Sequence, residues 1–89
     1  MPTWELLVHG KVQGVGFRWL VQRLANQYEV HGYVRNLCDG TVQILAQAEE
    51  HTFEGFQFAI ASGGNYARVD KLDVTKIDSA KKYHDFEIK

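Results

Sequence analysis

The chain has little cysteine, little proline and no excess of charge of either sign, and each shortage excludes a class of protein. A single cysteine, Cys38, forms no internal disulfide, and with four scattered histidines it gives no metal-ligand spacing. A net charge of −1 argues against general binding to nucleic acid or anionic membranes, both of which favour a basic excess. The first apolar run, residues 6–8, is far too short for a secretory segment or a membrane span. These absences predict a cytoplasmic protein without a metal site, a nucleic-acid partner or a membrane attachment.

What the chain does contain is a regular apolar pattern over 89 residues, enough for a single domain, residues 1–89. Helical spacing from Phe17 to Tyr28 predicts one amphipathic helix, and Phe53, Phe56 and Ile60 mark a second. Alternating apolar residues predict strands over 4–8, 30–36, 41–48 and 67–77, the last with a bulge, and a short strand over 86–88. The order predicts an α+β, ferredoxin-like βαββαβ sandwich. Its sheet is mostly antiparallel, both helices lie on one face, and a short fifth strand ends it.

That topology brings two distant segments together. Its first and second strands run parallel with the third between them, so their carboxyl ends lie at one edge of the sheet. A glycine-rich loop over residues 10–16 follows the first strand, and Arg35 and Asn36 end the second. We therefore expect the loop and Asn36 to be close neighbours.

The chemistry of the loop is that of an anion site. Glycines let a chain wrap an anion with its backbone N–H groups, and the loop opens a helix whose first N–H groups are unpaired. Arg18 lies in the first turn, where a cation opposes the helix dipole at a cost of about 0.3–1 kcal/mol. No carboxylate occurs between Glu5 and Glu29 to pair with it. Such a conflict between local rules is typical of a functional site.

Each of these residues also has an ordinary structural interpretation. The glycines serve equally in a tight strand-to-helix connection, and Arg18 could extend into solvent. Asn36 could form an Asx turn, and the Gln13 side chain could either cap a loop or contact substrate. We expect His9 to be a structural or surface residue. Trp19 and Arg23 lie off the apolar stripe of the helix, so we expect both to be partly exposed.

Residues 10–18 (GKVQGVGFR) and 32–36 (GYVRN), followed by Asp39 and Gly40, resemble the acylphosphatase family, and the resemblance extends over the whole chain. It implies a monomeric enzyme that hydrolyses small-molecule acyl phosphates to carboxylate and inorganic phosphate without metal or cofactor. It also implies that the phosphate is held by backbone N–H groups, that Arg18 clamps it, and that Asn36 orients the attacking water. The residues that contribute those N–H groups are Gln13, Gly14, Val15, Gly16, Phe17 and Arg18.

The chain departs from the family pattern at the end of the first helix, where Glu29 stands in place of the usual glycine. A left-handed Glu29 would be strained by about 1 kcal/mol. The alternative to an enzyme is a non-catalytic anion-binding or regulatory module with the same loop. An RNA-binding domain of this fold needs stacking aromatics that residues 41–48 lack, and a metal chaperone needs a Cys-x-x-Cys motif that is also missing.

Overall fold

The computed structural model describes residues 1–65, 67–78 and 81–89. Its elements, in chain order, are β1 (Thr3–Lys11), α1 (Phe17–Tyr28), β2 (His31–Asn36), β3 (Val42–Gln47), α2 (Glu50–Ser62), β4 (Arg68–Ile77) and β5 (Phe86–Ile88). Every predicted element is present. β1 is longer than the predicted strand because Gly10 and Lys11 continue its pairing with β4 and belong to the strand rather than to the loop.

The strands form one sheet in the order β4-β1-β3-β2-β5. β1 pairs antiparallel with both β3 and β4, β2 pairs antiparallel with β3, and β5 pairs parallel with β2. β1 and β2 therefore run in the same direction with β3 between them, and their carboxyl ends meet at one edge. This is the ferredoxin-like α+β fold that the order of elements predicts.

A bulge in β4 lies where β1 approaches that edge. Pairing changes from His9 with Lys71 to Gly10 with Val69, which leaves Asp70 as an extra residue in β4. Gly10 has a φ of 132°, and a Cβ there would overlap the carbonyl oxygen of Arg68. Glycine is therefore required where β1 leads into the loop.

The core lies between the sheet and the two helices. Its fully buried members include Leu6, Val8, Val34 and Ile44 from the sheet, Val21 and Ala25 from α1, and Phe56 and Ile60 from α2. Burial of each large apolar side chain stabilises the fold by about 1.5–3 kcal/mol. Trp4 of β1 stacks on Phe53 of α2 with ring centroids 4.0 Å apart. Gly55 of α2 faces the ring of Tyr28, where a Cβ would be only 3.0 Å from a ring carbon, so glycine allows α1 and α2 to approach closely.

Both helices end on a residue in the left-handed conformation. Gly63 follows α2 with a φ of 73°, whereas Glu29 follows α1 with a φ of 58° and donates its N–H to the carbonyl of Ala25. Glu29 therefore adopts the left-handed conformation for which the sequence analysis expects strain. Within the described ranges, no helix is long and apolar enough to cross a membrane.

Candidate active site

Residues 13–18, here called the cradle loop, connect β1 to the first turn of α1. Gly14 and Gly16 have φ values of 75° and 78°, in the left-handed region that favours glycine. Gly16 is the N-cap residue of α1, and the cap contains no side-chain hydrogen bond. A Cβ added to either glycine would meet nothing within 4 Å, so both face open space. The loop thus presents backbone, rather than side chains, to an open volume.

The N–H groups of this segment are free to bind a ligand. Those of residues 13–19 donate to no acceptor in the part of the chain that the structure describes, and the first bond at this helix start is from Leu20 N–H to the Gly16 carbonyl, at 3.1 Å. An α-helix always leaves its first N–H groups without an internal partner. Because the N-cap residue Gly16 is left-handed, the N–H groups of the preceding loop residues join the unpaired N–H groups of the first helical turn. Together they form a cluster of donors at the positive end of a helix dipole, the arrangement that binds phosphate.

Asn36 lies beside this cluster, as the topology predicts. A cavity of about 190 Å³ is lined by Val12, Gly14, Gly16, Phe17, Arg18, Trp19, Asn36 and Ile88. Of the predicted site residues, Gly14, Gly16, Phe17, Arg18 and Asn36 therefore meet in one place. The other two, Gln13 and Val15, are not among its lining residues. Among the described residues that line the cavity there is no Asp or Glu, and Arg18 is the one cationic side chain.

The residue that follows β5 holds the Arg18 side chain in position. Nη1 of Arg18 donates to the carbonyl of Lys89 at 2.9 Å, and one helical turn later the Gln22 amide donates to the carbonyl of Phe86 at 3.1 Å. The N–H of Lys89 in turn donates to the carbonyl of Val34 in β2. Sequence reasoning missed this contact. The spacing of Arg18 and Gln22 could have indicated that both side chains contact the same neighbouring segment, because residues four apart lie on one side of a helix.

The Gln13 side chain joins the cradle loop to the turn that follows β2. Its Nε2 donates to the carbonyls of Leu37 and Thr41, both at 2.8 Å, which uses both hydrogens of the amide. Leu37 and Thr41 lie in the turn between β2 and β3, directly after Asn36. The Gln13 side chain therefore caps this turn, and it ties the cradle loop to the strand that carries Asn36.

The Asx turn at this position is formed by Asp39 and not by Asn36. Oδ1 of Asp39 accepts hydrogen bonds from Oγ1 of Thr41 at 2.6 Å and from its N–H at 3.0 Å. These bonds, the side-chain bond most strongly, lower the pKa of Asp39 below its ordinary value. Asn36 is exposed at the end of β2, and within residues 1–65, 67–78 and 81–89 its amide has no hydrogen-bond partner. Its amide is thus available to a ligand or a water.

The remaining candidates lie outside the cavity. Nε2 of His9 pairs with Oδ2 of Asp73 at 2.8 Å, and this hydrogen bond lowers the pKa of Asp73. His9 is thus the structural or surface residue that was predicted. Cys38 is exposed. The residues that the structure describes contain no group of three or more His, Cys, Asp or Glu arranged to hold a metal ion.

The acylphosphatase family model matches residues 4–88 of this chain. The chain belongs to the acylphosphatase family. Its sequence is 43% identical over 88 residues to an acylphosphatase from Archaeoglobus fulgidus, covering 99% of this chain and 98% of that protein. The crystal structure of the acylphosphatase from Bacillus subtilis matches with a TM-score of 0.94 at 38% identity, covering 99% of this chain and 98% of that one. By family and by these relatives the protein is an enzyme, an acylphosphatase, a class whose general reaction is the hydrolysis of acyl phosphates.

The fold also occurs within a longer protein. The crystal structure of T. kodakarensis HypF matches all of this chain with a TM-score of 0.88 at 31% identity, and the match covers 12% of that protein. The acylphosphatases from Archaeoglobus fulgidus and Bacillus subtilis, in contrast, match over nearly their whole length.

Proposed function

We propose that the cradle loop holds the phosphate of an acyl phosphate, that Arg18 clamps it, and that Asn36 orients the water that attacks phosphorus. The products are a carboxylate and inorganic phosphate. The observation that carries the proposal is that free backbone donors, Arg18 and the unpaired amide of Asn36 border one cavity of about 190 Å³. The proposal treats residues 1–89 as one domain that acts as a cytoplasmic monomer.

Charge favours a phosphate in this place over other small ligands. The donors of residues 13–18 and the α1 dipole supply partial positive charge, and Arg18 adds a full one. The planar guanidinium binds two phosphate oxygens at once. One of its N–H groups is used by the Lys89 carbonyl, which fixes its orientation before a ligand arrives. Donors arranged in advance in this way contribute roughly 3–4 kcal/mol each to stabilising a transition state.

The leaving group needs no general acid. The water oxygen forms a bond to phosphorus while the bond from phosphorus to the acyl oxygen breaks, and that electron pair leaves with the carboxylate. Both water protons end on the phosphate, so an acyl phosphate dianion and water give a carboxylate and H2PO4−. A carboxylic acid has a pKa of about 4, so the leaving group departs unprotonated at neutral pH. Positioning and charge stabilisation are then the main requirements of a loose phosphoryl-transfer transition state. The proposed reaction accordingly uses neither metal nor cofactor.

The non-catalytic module is the weaker alternative. It would explain the cradle loop and Arg18, but it gives no role to the unpaired amide of Asn36. Relatives that match this chain over nearly their full length are themselves acylphosphatases, which favours the enzyme.

The test is hydrolysis of benzoyl phosphate at neutral pH with a chelator present, comparing the native chain with Arg18→Ala and Asn36→Ala. We expect kcat to fall by about 100-fold or more in each variant, the usual loss when one transition-state contact is removed. Lys76→Ala is the matched control, because Lys76 is an exposed cation paired with Trp4 at the opposite end of β1. Its activity should equal that of the native chain.

Circular dichroism and the urea midpoint show whether each variant keeps its fold. An Asn36→Ala variant with full activity would reject the water-orienting role. A native chain that binds inorganic phosphate through Arg18 but hydrolyses nothing would be the binding module instead.

A further inference from the structure

A second cavity, of about 370 Å³, borders the cradle loop on the side away from Asn36. Gly16, Phe17 and Trp19 line both cavities, so the two are adjacent along the loop. The far wall of the second cavity is formed by residues 63–65 and Ala67, which precede β4. In the sheet, β4 and β2 lie on opposite sides of β1, the strand from which the loop leaves.

The walls of this cavity are mainly apolar. We call it the acyl groove and define it by Val15, Trp19, Leu20, Arg23 and residues 63–65. Trp19 also lines the cavity proposed to hold the phosphate, and its side chain is 58% exposed. A large exposed aromatic beside a polar site offers a flat surface on which an apolar part of a ligand can pack.

One cation lies over the groove. The guanidinium carbon of Arg23 is 4.8 Å from the ring centroid of Trp19, a cation–π contact that holds the side chain against the groove wall. Arg23 forms no ion pair with any carboxylate of the described residues, and α1 contains no acidic residue at all. The positive charge of Arg23 is therefore available to a ligand.

The geometry of the proposed reaction directs the acyl group towards this groove. In phosphoryl transfer the attacking and leaving oxygens lie roughly in line through phosphorus. With the water at Asn36, the acyl oxygen departs on the side of phosphorus away from Asn36. The acyl groove, which Arg23 lines and Asn36 does not, adjoins the cradle loop and is placed to receive the acyl group.

We propose that the acyl groove binds the acyl group of the substrate and that Arg23 pairs with a second negative charge on that group. The favoured substrates are acyl phosphates in which a carbon skeleton, packed on Trp19, carries a further carboxylate. This inference rests on the proposed function, since it places the phosphate in the cradle loop. It adds a specificity-determining residue to a site whose other contacts recognise phosphate alone.

The test uses a pair of substrates that differ at one position. These are 4-carboxybenzoyl phosphate and 4-methylbenzoyl phosphate, in which a rigid ring carries either a carboxylate or a neutral group of similar size. The quantity measured is the ratio of kcat/KM for the two substrates in the native chain, in Arg23→Gln and in Lys76→Gln. Lys76 lies 5.8 Å from the ring centroid of Trp4, so Lys76→Gln removes a cation from a tryptophan far from the site.

We expect Arg23→Gln to lower the preference for the carboxylated substrate by about fivefold, the upper range for a solvent-accessible ion pair, and high salt to do the same in the native chain. Lys76→Gln should keep the native ratio. Because the intrinsic reactivity of each substrate is the same for every variant, it cancels from this comparison. An unchanged ratio in Arg23→Gln, or an equal change in Lys76→Gln, would overturn the inference.

A second variant distinguishes binding in the acyl groove from binding in the cradle loop. Trp19→Ala should raise KM for 4-methylbenzoyl phosphate while leaving inhibition by inorganic phosphate unchanged, because inorganic phosphate has no acyl group. Equal changes in both constants would show that Trp19 acts on the phosphate, against the inference. Failure of the proposed function is distinguishable, since the native chain would then hydrolyse neither substrate.

Discussion

The two helices of this fold begin in opposite ways. At the start of α2, Glu49 and Glu50 place negative charge at the positive end of the dipole. At the start of α1 no acidic residue is present, Gly16 is left-handed, and Arg18 adds a like charge. Neither start has a side-chain cap bond. The difference shows that α2 carries negative charge at its own start, whereas the start of α1 has none and leaves its positive end free for the phosphate that we propose.

The largest expected effect comes from exchanging the two charge patterns. Arg18→Glu gives α1 the acidic start of α2, and we expect hydrolysis of benzoyl phosphate to fall by at least about 1,000-fold, because a clamp is lost and a repulsion is added. Glu50→Arg gives α2 the basic start of α1. It should lower the free energy of unfolding by about 0.3–1 kcal/mol and leave hydrolysis unchanged.

Urea unfolding and initial rates on the same samples check both variants. If Arg18→Glu kept its activity, or if Glu50→Arg lost it, the two helix starts would not differ in the way described.

An intermediate effect is expected from the glycine at the α1 start. Gly16→Ala forces a left-handed alanine, at a cost of about 1–2 kcal/mol, and adds a methyl group to the open volume of the cradle. A displacement of the donors by a fraction of an ångström should lower kcat/KM by about tenfold or more. Gly40→Ala is the matched control, because Gly40 also has a positive φ and open space around its Cβ position.

Both alanine variants should lose stability in urea, but only Gly16→Ala should lose activity and sensitivity to inorganic phosphate. Equal losses of activity in Gly16→Ala and Gly40→Ala would mean that backbone strain, rather than a methyl group in the open volume of the cradle loop, causes the loss.

The smallest effect concerns the helix ends, where α2 has Gly63 and α1 has Glu29 in the same left-handed conformation. Glu29→Gly should raise the free energy of unfolding by about 0.5–1 kcal/mol, because glycine adopts this conformation without strain. Glu29→Ala removes the carboxylate but keeps a Cβ, so it controls for charge and should gain much less. A urea midpoint for Glu29→Gly no higher than the native value would show that Glu29 is not strained.

Local patterns in the sequence were sufficient to predict the elements and their arrangement. The apolar stripe of α1 and the alternation in β3 reflect burial on one face. The buried face determines which positions are apolar, so the pattern is visible in the sequence. The meeting of the cradle loop with Asn36 followed from topology alone, because strand direction determines which ends share an edge. The comparison with the family's usual glycine pointed to Glu29 as the position where a left-handed conformation would be strained.

Contacts that depend on the register of distant strands could not be predicted. The hydrogen bond from Arg18 to Lys89 joins residues 71 positions apart, and it exists because β5 pairs with β2 in one particular register. The bonds from Gln13 to Leu37 and Thr41 depend on the conformation of a turn that the sequence indicates only as an Asp-Gly signal. Gly10 was predicted as loop because a glycine-rich pattern does not reveal pairing with a bulged neighbour.

The two tryptophans give the molecule a pair of independent optical reporters. Trp4, stacked on Phe53, is only 7% exposed, so its emission follows the packing of the core and is shielded from a quencher such as iodide. Trp19 stands in solvent on the rim shared by both cavities, so its emission responds to whatever enters them. In a single sample, ligand arrival and loss of the fold are therefore visible as two separable fluorescence signals.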